Sequence, residues 1–306
     1  MPYAIGIDLG GTNIKYGLAD HLGNILYESI RPTYMPDLTV YDNIAGIING
    51  LKAFAVANGL TPAGIGIGVP ALIDNGKLTG CFTNLPELEG MALGILLEQQ
   101  SGIPVSVGND ANLMGLAEWK FGAARGATDA IFLTIGTGIG GAIVANGELY
   151  TGYRNRGAEL GHIIVEAHGN PCGCGGSGCL EAHASVKALI SDYNTLAGQT
   201  ADITGNTIVS QFLNNQQPAV QAMNRHFDYL GVGIAGLINI FSPQLIIIGG
   251  GISESGDFYI NAIRDRAMKR AMKETSINTT IEAAQLGNKA GFLGAAAQVF
   301  NNIPSS

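Results

Sequence analysis

Three of the four cysteines lie within eight residues, at Cys172, Cys174 and Cys179, and His162 precedes them. Three thiolates and one imidazole suit tetrahedral Zn²⁺, and four protein ligands leave no open position for a substrate. The glycines between the cysteines permit the tight loop that this spacing requires. The sequence therefore predicts a structural zinc site. His168 is an alternative histidine ligand, and three reduced thiols in a glycine-rich loop are the alternative without metal.

Two turns that contain glycine and threonine could bind the phosphates of a nucleotide. Gly10-Gly11-Thr12 follows the apolar run 3–8, and Gly136-Thr137-Gly138 follows the run 130–135. Glycine lets backbone N–H groups approach phosphate oxygens, and the threonine hydroxyl adds a donor. Asp8, at the end of the first run, could hold Mg²⁺ through water. Turns that merely connect strands are the alternative, but the matched pair favours phosphate binding, as does a third glycine cluster at 249–251.

A further carboxylate, Asp110, follows the apolar run 105–107 and begins a predicted helix, with Asn109 before it. Phosphoryl transfer to a hydroxyl needs a carboxylate that accepts the proton. Aspartate at the start of a helix is also a common N-cap. The local pattern alone favours the cap, so the role of Asp110 depends on its surroundings.

The elements that must position these residues alternate between short strands and amphipathic helices. Apolar β-friendly runs indicate strands, and apolar residues that recur every three or four positions indicate helices. The predicted strands are 3–8, 14–19, 24–30, 64–69, 105–107, 130–135, 142–145, 244–248 and 279–284. The predicted helices are 41–57, 110–119, 185–197, 217–240, 257–272 and 290–300.

One arrangement of elements occurs twice. A strand, a Gly/Thr turn, a second strand and a hairpin end at Tyr27 and again at Tyr150, a spacing of about 125 residues. This spacing is too long for a solenoid repeat, so it predicts two related domains. The length of 306 residues is sufficient for two cores.

Composition excludes several classes of protein. Hydrophobic residues make up 46% of the chain, which excludes disorder, and the net charge of −8 without any basic run argues against nucleic acid as a partner. No basic segment followed by an apolar stretch opens the sequence, so no secretory signal is predicted. Polar residues and Pro243 interrupt the most apolar region, 230–252, which makes it unsuited to span a bilayer. A cytoplasmic protein with no membrane partner is predicted, and Cys81 is expected to be a thiol without a metal.

The chain resembles the ROK family of sugar kinases and repressors, within the actin–hexokinase–Hsp70 ATPase superfamily, from about residue 4 to residue 300. Six segments in order carry the resemblance: 8–13 (DLGGTN), 108–112 (GNDAN), 136–141 (GTGIGG), 157–162 (GAELGH), 172–181 (CGCGGSGCLE) and 249–251 (GGG). The resemblance implies an α/β fold of two duplicated actin-like ATPase (ribonuclease H-like) domains with an active-site cleft between them. The expected domains are 1–118 plus 290–306, and 119–289.

The resemblance also implies a function: ATP-dependent phosphorylation of a hexose hydroxyl, with glucose C6 the first choice, Mg²⁺ as cofactor and a homodimer as the assembly. It makes Asp110 the general base and favours His162 as the fourth zinc ligand. The implied sugar-binding residues are Asn84, Asn109, Glu159, His162, Glu181, Gly68 and Pro70. The implied nucleotide-binding residues are Asp8, Gly10, Gly11, Thr12, Asn13, Gly136, Thr137, Gly138, Gly249 and Gly250.

Other functions remain as alternatives. N-acetylmannosamine, N-acetylglucosamine and fructose are possible substrates, since a single sequence does not resolve the sugar pocket. A non-catalytic sugar-sensing regulator of the same family would carry a helix-turn-helix domain, for which the first strand, beginning at Tyr3, leaves no room. Polyphosphate is a less favoured phosphoryl donor, because no long basic groove is indicated. The cysteine cluster argues against an actin-like or chaperone-like ATPase.

Overall fold

The computed structural model describes residues 2–80, 85–198, 200 and 202–301. The chain forms two compact units. Unit 1 contains the chain up to Gly126, the segment Leu149–Ala158 and the chain from Asn288 onward, whereas unit 2 contains Ala127–Glu148 and Glu159–Gly287. The predicted boundary at residue 118 falls inside a helix, Asp110–Phe121, that belongs wholly to unit 1.

In the described part of the chain, strands form two five-stranded sheets and a short hairpin. The first sheet has the order β3-β2-β1-β4-β7, the second has the order β10-β9-β8-β11-β12, and β5 pairs with β6. The strands are β1 (Tyr3–Leu9), β2 (Asn13–Asp20), β3 (Ile25–Pro32), β4 (Pro62–Val69), β5 (Leu72–Asp74), β6 (Lys77–Thr79), β7 (Val105–Asn109), β8 (Ala130–Ile135), β9 (Ile139–Ala145), β10 (Glu148–Tyr150), β11 (Leu245–Gly249) and β12 (Thr280–Ala283).

The two sheets have the same order of strands, and in each the first strand of the repeat is antiparallel to the second and parallel to a later strand. β1 and β8 are therefore equivalent, as are β4 and β11. The predicted α/β fold of two duplicated domains is confirmed in this strand order. Each sheet buries apolar side chains along its central strands, and burial of that area stabilises each unit.

The helices are α1 (Val40–Ala57), α2 (Leu93–Ser101), α3 (Asp110–Phe121), α4 (Leu180–Ala184), α5 (Val186–Ala197), α6 (Gly205–Leu213), α7 (Gln217–Phe241), α8 (Asp257–Arg270), α9 (Lys273–Ser276) and α10 (Ala290–Asn301). Within the described residues, none of them combines the length and the apolar character needed to cross a bilayer. Helix α10 lies directly against the first sheet. A Cβ at Gly66 would lie 1.8 Å from the carbonyl oxygen of Ala295, so glycine is required for this close approach.

Candidate active site

Two carboxylates lie together in unit 1, where three neighbouring parallel strands end. Asp8 on β1 pairs with Gly68 on β4, and β4 is parallel to β7, which leads directly into Asp110. A Cβ at Gly68 would lie 3.6 Å from the Cα of Asp110. Burial, reinforced by the charge of Asp110 and opposed by that of Lys15, raises the pKa of Asp8 to about 6. Two carboxylates that repel each other in a buried setting form a site suited to a cation or a proton.

The raised pKa of Asp8 predicts how the free energy of unfolding depends on pH. Because the folded-state value of about 6 exceeds the ordinary 3.8, folding favours the protonated form. This contribution is fully present below pH 3.8 and is lost as the pH rises through about 6. Asp8→Asn, which cannot ionise, is expected to gain roughly 3 kcal/mol over the wild type between about pH 4 and pH 7. Urea unfolding of both proteins across this range measures the gain.

Asp20 lies in the same sheet and is a control for Asp8, because its pKa is shifted in the opposite direction. Burial alone would raise its pKa, but hydrogen bonds from Asn24 and from the Leu22 N–H lower it. Asp20→Asn is therefore expected to lose stability relative to the wild type as the pH rises. A difference for Asp8→Asn that does not change with pH would contradict the assignment of the pKa near 6.

The start of α3 separates the roles of Asn109 and Asp110. The side chain of Asn109 is the N-cap, since its Oδ1 accepts a hydrogen bond of 3.1 Å from the Asn112 N–H. Asp110 is the first helical residue, and its Oδ1 accepts a bond of 2.8 Å from the Ala111 N–H. The local sequence predicted Asp110 as the N-cap of this helix, but the N-cap is Asn109.

The first glycine turn is braced from the edge of the sheet. The Gly10 N–H donates to the Asn13 carbonyl at 3.0 Å, which closes the turn between β1 and β2. Thr33 donates through its hydroxyl to the Gly10 carbonyl at 2.6 Å and through its backbone to the Thr12 carbonyl at 2.9 Å. Gly11 is half-buried, whereas Thr12 and Asn13 are exposed, so the tip of the turn is accessible to a ligand. The bracing residue Thr33 was absent from the sequence predictions.

The second glycine turn borders a cavity in unit 2 of about 260 Å³. The Gly136 N–H donates to the Gly138 carbonyl at 2.9 Å, and the Val186 N–H donates to the Gly136 carbonyl at 2.8 Å. Gly249 ends β11 opposite Thr134 of β8, which brings the third glycine cluster to the same edge. The lining residues are Ile135, Gly136, Thr137, Val186, Thr204, Gly205, Asn206, Gly251 and Ile252.

Residues from α5 and α6 that the sequence did not predict complete this cavity. Thr204 caps α6 by accepting from the Thr207 N–H at 3.2 Å, and Ser185 caps α5 by accepting from the Ala188 N–H at 3.1 Å. Both helices therefore begin at or next to the cavity, where their unpaired N–H groups favour an anion. The Thr-Gly-Asn-Thr sequence at 204–207 is a recognisable cap signal that could have indicated α6.

Gly250, which follows β11, allows a prediction about stability. Its φ is +98°, and a Cβ there would lie 2.1 Å from the Ile135 carbonyl oxygen. Gly250→Ala is therefore expected to lose at least about 2 kcal/mol of stability and to unfold at least about 4 °C below the wild type. Gly251→Ala is the control, because no atom lies within 4 Å of its added Cβ. Equal thermal midpoints for the two variants would contradict the predicted overlap.

The four predicted metal ligands come together in unit 2. The ligand atoms of His162, Cys172, Cys174 and Cys179 all lie within 4.8 Å of one another. The His162 Nδ1 lies 3.5 Å from the Cys172 Sγ, and the sulfurs of Cys174 and Cys179 are 3.7 Å apart. Burial and the neighbouring thiols raise the pKa of Cys179 to about 12. A dication would overcome this cost of ionisation, so the donor set and its spacing fit Zn²⁺.

Glu181 connects this cysteine cluster to the second glycine turn. Its Oε2 accepts a hydrogen bond of 2.9 Å from the Ile139 N–H, and its Oε1 lies 3.8 Å from the Cys172 sulfur. A Cβ at Gly138 would lie 2.5 Å from the same carboxylate. The Ile139 N–H therefore fixes one oxygen of Glu181, and the other oxygen lies next to the cysteine cluster.

Glu159 and His162 lie at the two ends of a short turn, in which the His162 N–H donates to the Glu159 carbonyl at 3.0 Å. Loss of hydration raises the pKa of Glu159, with His162 opposing the shift and Glu181 adding to it. His162 and Glu181 thus lie close enough to Glu159 for their charges to act on its pKa. Pro70 follows β4 directly after Val69, whereas Asn84 and Cys81 lie outside the described residues.

Two matched sheets, each with a glycine turn after the first strand of its repeat, define a duplicated α/β protein of the actin-like ATPase class. The ROK family profile matches residues 4–301, and the chain belongs to the ROK family.

Known relatives cover almost the whole chain. A glucokinase of Thermotoga maritima is 35% identical, over 98% of this chain and 98% of its own length. The crystal structure of a ROK hexokinase from Thermus thermophilus matches with a TM-score of 0.86 and 30% identity, covering 98% of each chain. A ROK family glucokinase from Streptomyces griseus, solved in complex with glucose and AMPPNP, matches with a TM-score of 0.82 and 32% identity over 98% of this chain and 100% of that one.

Proposed function

We propose that this chain is an ATP-dependent hexose kinase that transfers a phosphoryl group to a sugar hydroxyl, with glucose C6–OH as the first candidate. The observation that carries the proposal is the carboxylate pair Asp8 and Asp110, which lies beside the braced Gly10–Thr12 turn at one edge of the first sheet. The glucokinase relative and the glucose- and AMPPNP-bound relative support both substrates.

Asp110 is the proposed general base. A base must accept the proton of the attacking hydroxyl as the bond to phosphorus forms, and an ionised carboxylate does this at neutral pH. One oxygen of Asp110 accepts the Ala111 N–H, which fixes the orientation of the carboxylate at the start of α3. Asn109 is proposed to bind a neighbouring hydroxyl, with Gly68 and Pro70 shaping the wall beside it.

Backbone groups of the glycine turns are the proposed phosphate ligands. The residues are Gly10, Gly11, Thr12 and Asn13 in unit 1, and Gly136, Thr137, Gly138, Gly249 and Gly250 in unit 2. The adjoining cavity is the proposed site for the nucleotide, whose negative charge the N-termini of α5 and α6 at its edge would favour. Mg²⁺, when bound, would neutralise charge on the transferred phosphoryl group, and Asp8 would hold it through water.

Three side chains of unit 2, namely Glu159, His162 and Glu181, are proposed to bind ring hydroxyls, because carboxylates accept bonds from vicinal hydroxyls. Zn²⁺ on His162, Cys172, Cys174 and Cys179 would be structural, since four protein ligands close its coordination shell. His162 could bind the metal through one ring nitrogen and a hydroxyl through the other. A homodimer in the cytoplasm is the proposed state of the protein.

A coupled assay of ADP release with Mg-ATP tests the function. The panel contains glucose, fructose, mannose, N-acetylglucosamine and N-acetylmannosamine, and polyphosphate replaces ATP in a parallel series. We expect turnover with ATP, with glucose giving the highest kcat/KM. Preference for an N-acetylhexosamine or fructose would reassign the substrate, and no turnover with any sugar would reject the kinase and favour a sugar-sensing regulator.

A further inference from the structure

A carboxylate outside the site described above holds the segment Leu149–Ala158, here called the strap. Asp74, at the end of β5, receives Nη2 of Arg154 at 2.6 Å on one oxygen and Nη2 of Arg156 at 2.5 Å on the other. The Asp74 side chain is only 17% exposed, whereas the arginines are 43% and 50% exposed. One carboxylate that satisfies two guanidinium groups fixes geometry better than a single exposed ion pair does.

The strap needs an external restraint because its backbone is unusual. Arg154, Asn155 and Ala158 have φ values of 57°, 56° and 65°, a region that side-chain-bearing residues rarely adopt. The strap also closes on itself, since the Gly157 N–H donates to the Thr151 carbonyl at 2.7 Å. Several left-handed residues in a short segment persist only where surrounding contacts determine the conformation. The two ion pairs to Asp74 are such contacts.

The strap belongs to unit 1, although the chain on both sides of it belongs to unit 2. Glu159 follows the last strap residue directly, and its carboxylate is the one affected by His162 and Glu181. Ala158, the last strap residue, is therefore joined by one peptide bond to the residue that begins the turn between Glu159 and His162.

We infer that Asp74 is a positioning residue for sugar binding, which acts by fixing the strap through Arg154 and Arg156 and thereby placing Glu159. The inference rests on the proposed function, because it needs Glu159 to contact the sugar. The ion pairs of Asp74 join it to Arg154 and Arg156, so the main effect of replacing it is expected on sugar binding.

The two arginines favour the ionised form of Asp74. Partial burial by itself raises the pKa of Asp74, but hydrogen bonds and charges from Arg154 and Arg156 outweigh this and lower it. The ion pairs are also partly exposed, so salt is expected to weaken them.

The test compares Asp74→Asn with a matched control. Asp228 also bridges two arginines, at 3.2 Å to Arg266 and 3.0 Å to Arg270, but lies on α7 and makes neither ion pair with a strap residue. Asp74→Asn is expected to raise the KM for the sugar about tenfold, with the KM for ATP and kcat within about twofold of the wild type. Asp228→Asn is expected to leave all three constants unchanged.

Two further measurements separate positioning from simple loss of stability. Asp74→Glu, which keeps the charge, is expected to restore most of the sugar affinity. Raising the salt concentration is expected to increase the sugar KM of the wild type but not that of Asp74→Asn. An unchanged sugar KM in Asp74→Asn, or equal rises in the sugar and ATP constants, would overturn the inference. Failure of the wild type to phosphorylate any sugar would instead reject the proposed function.

Discussion

Asp110→Asn is expected to lower kcat by about three to four orders of magnitude while the protein folds normally. The amide has nearly the same shape as the carboxylate and can still accept from the Ala111 N–H, so the start of α3 should persist. It cannot accept a proton from the attacking hydroxyl, and it removes a negative charge beside the transferred phosphoryl group. The KM for ATP is expected to change little, because the proposed phosphate ligands are backbone groups of the glycine turns.

Asp257→Asn is the matched control, since Asp257 is also the first residue of a helix, α8. Loss of a charge at that position affects only the helix dipole, which costs a few tenths of a kcal/mol at an exposed site. Initial rates at saturating sugar and ATP, with far-UV circular dichroism and thermal unfolding, measure both variants. A kcat for Asp110→Asn within tenfold of the wild type would place the base elsewhere.

Asp110→Asn is also expected to change the pKa of the neighbouring Asp8. The charge of Asp110 is one of the two causes that raise the pKa of Asp8. Removing that charge should therefore lower the pKa of Asp8, although burial keeps it above the ordinary value. The pH at which Asp8→Asn gains stability would shift downward in the Asp110→Asn background, which couples the two predictions in a double-mutant cycle.

The fold was largely predictable because its strands and long helices carry strong local patterns. The strands β1, β8 and β11 are short apolar runs, and α7 repeats its apolar residues over many turns. The weaker patterns were missed. Helix α6 has the sequence GNTIVSQFL, whose glycine and β-branched residues are poor helix formers, so its Thr204 cap and its packing decide its conformation.

The hairpin β5–β6 was also missed, although its turn carries a recognisable signal. Asn75 and Gly76 have φ values of 51° and 75°, as a type I′ turn requires, and Asn-Gly is the preferred sequence for that turn. The strands on either side have only three residues each, too short to show an alternating pattern. The hairpin matters because its last β5 residue is Asp74.

The site was predictable in its residue types but not in its connections. Sequence patterns place carboxylates and glycines at strand ends, which is where the structure has Asp8, Asp110 and Gly136. They do not show that Asp74 reaches arginines 80 and 82 residues away, or that Glu181 accepts from the Ile139 N–H 42 residues before it. Such pairs depend on how distant segments pack, and no local periodicity encodes them.

Glu181 lies between the cysteine cluster and the second glycine turn of unit 2, with one oxygen near each. Movement of the loop that carries Cys172 would bring its sulfur toward or away from the Glu181 carboxylate, which in turn holds the Ile139 N–H next to the second glycine turn. His183 anchors the other side of the loop, because its Nε2 accepts from the Asn170 N–H at 3.1 Å. Loss of the metal should therefore affect sugar binding without removing the base.

Cys179→Ser is expected to reduce bound zinc from about one equivalent to less than half, because a serine hydroxyl does not ionise to replace a buried thiolate. The sugar KM is expected to rise at least about tenfold as Glu181 and His162 lose their fixed positions, because loss of the groups that order a metal site typically costs about ten- to hundredfold in metal affinity or activity. The thermal midpoint is expected to fall by at least about 5 °C.

Elemental analysis, thiol titration and initial rates measure these effects, with Cys81→Ser as the control that keeps zinc and activity. A full equivalent of zinc in Cys179→Ser, or wild-type protein without zinc and with freely titratable thiols, would contradict the metal site.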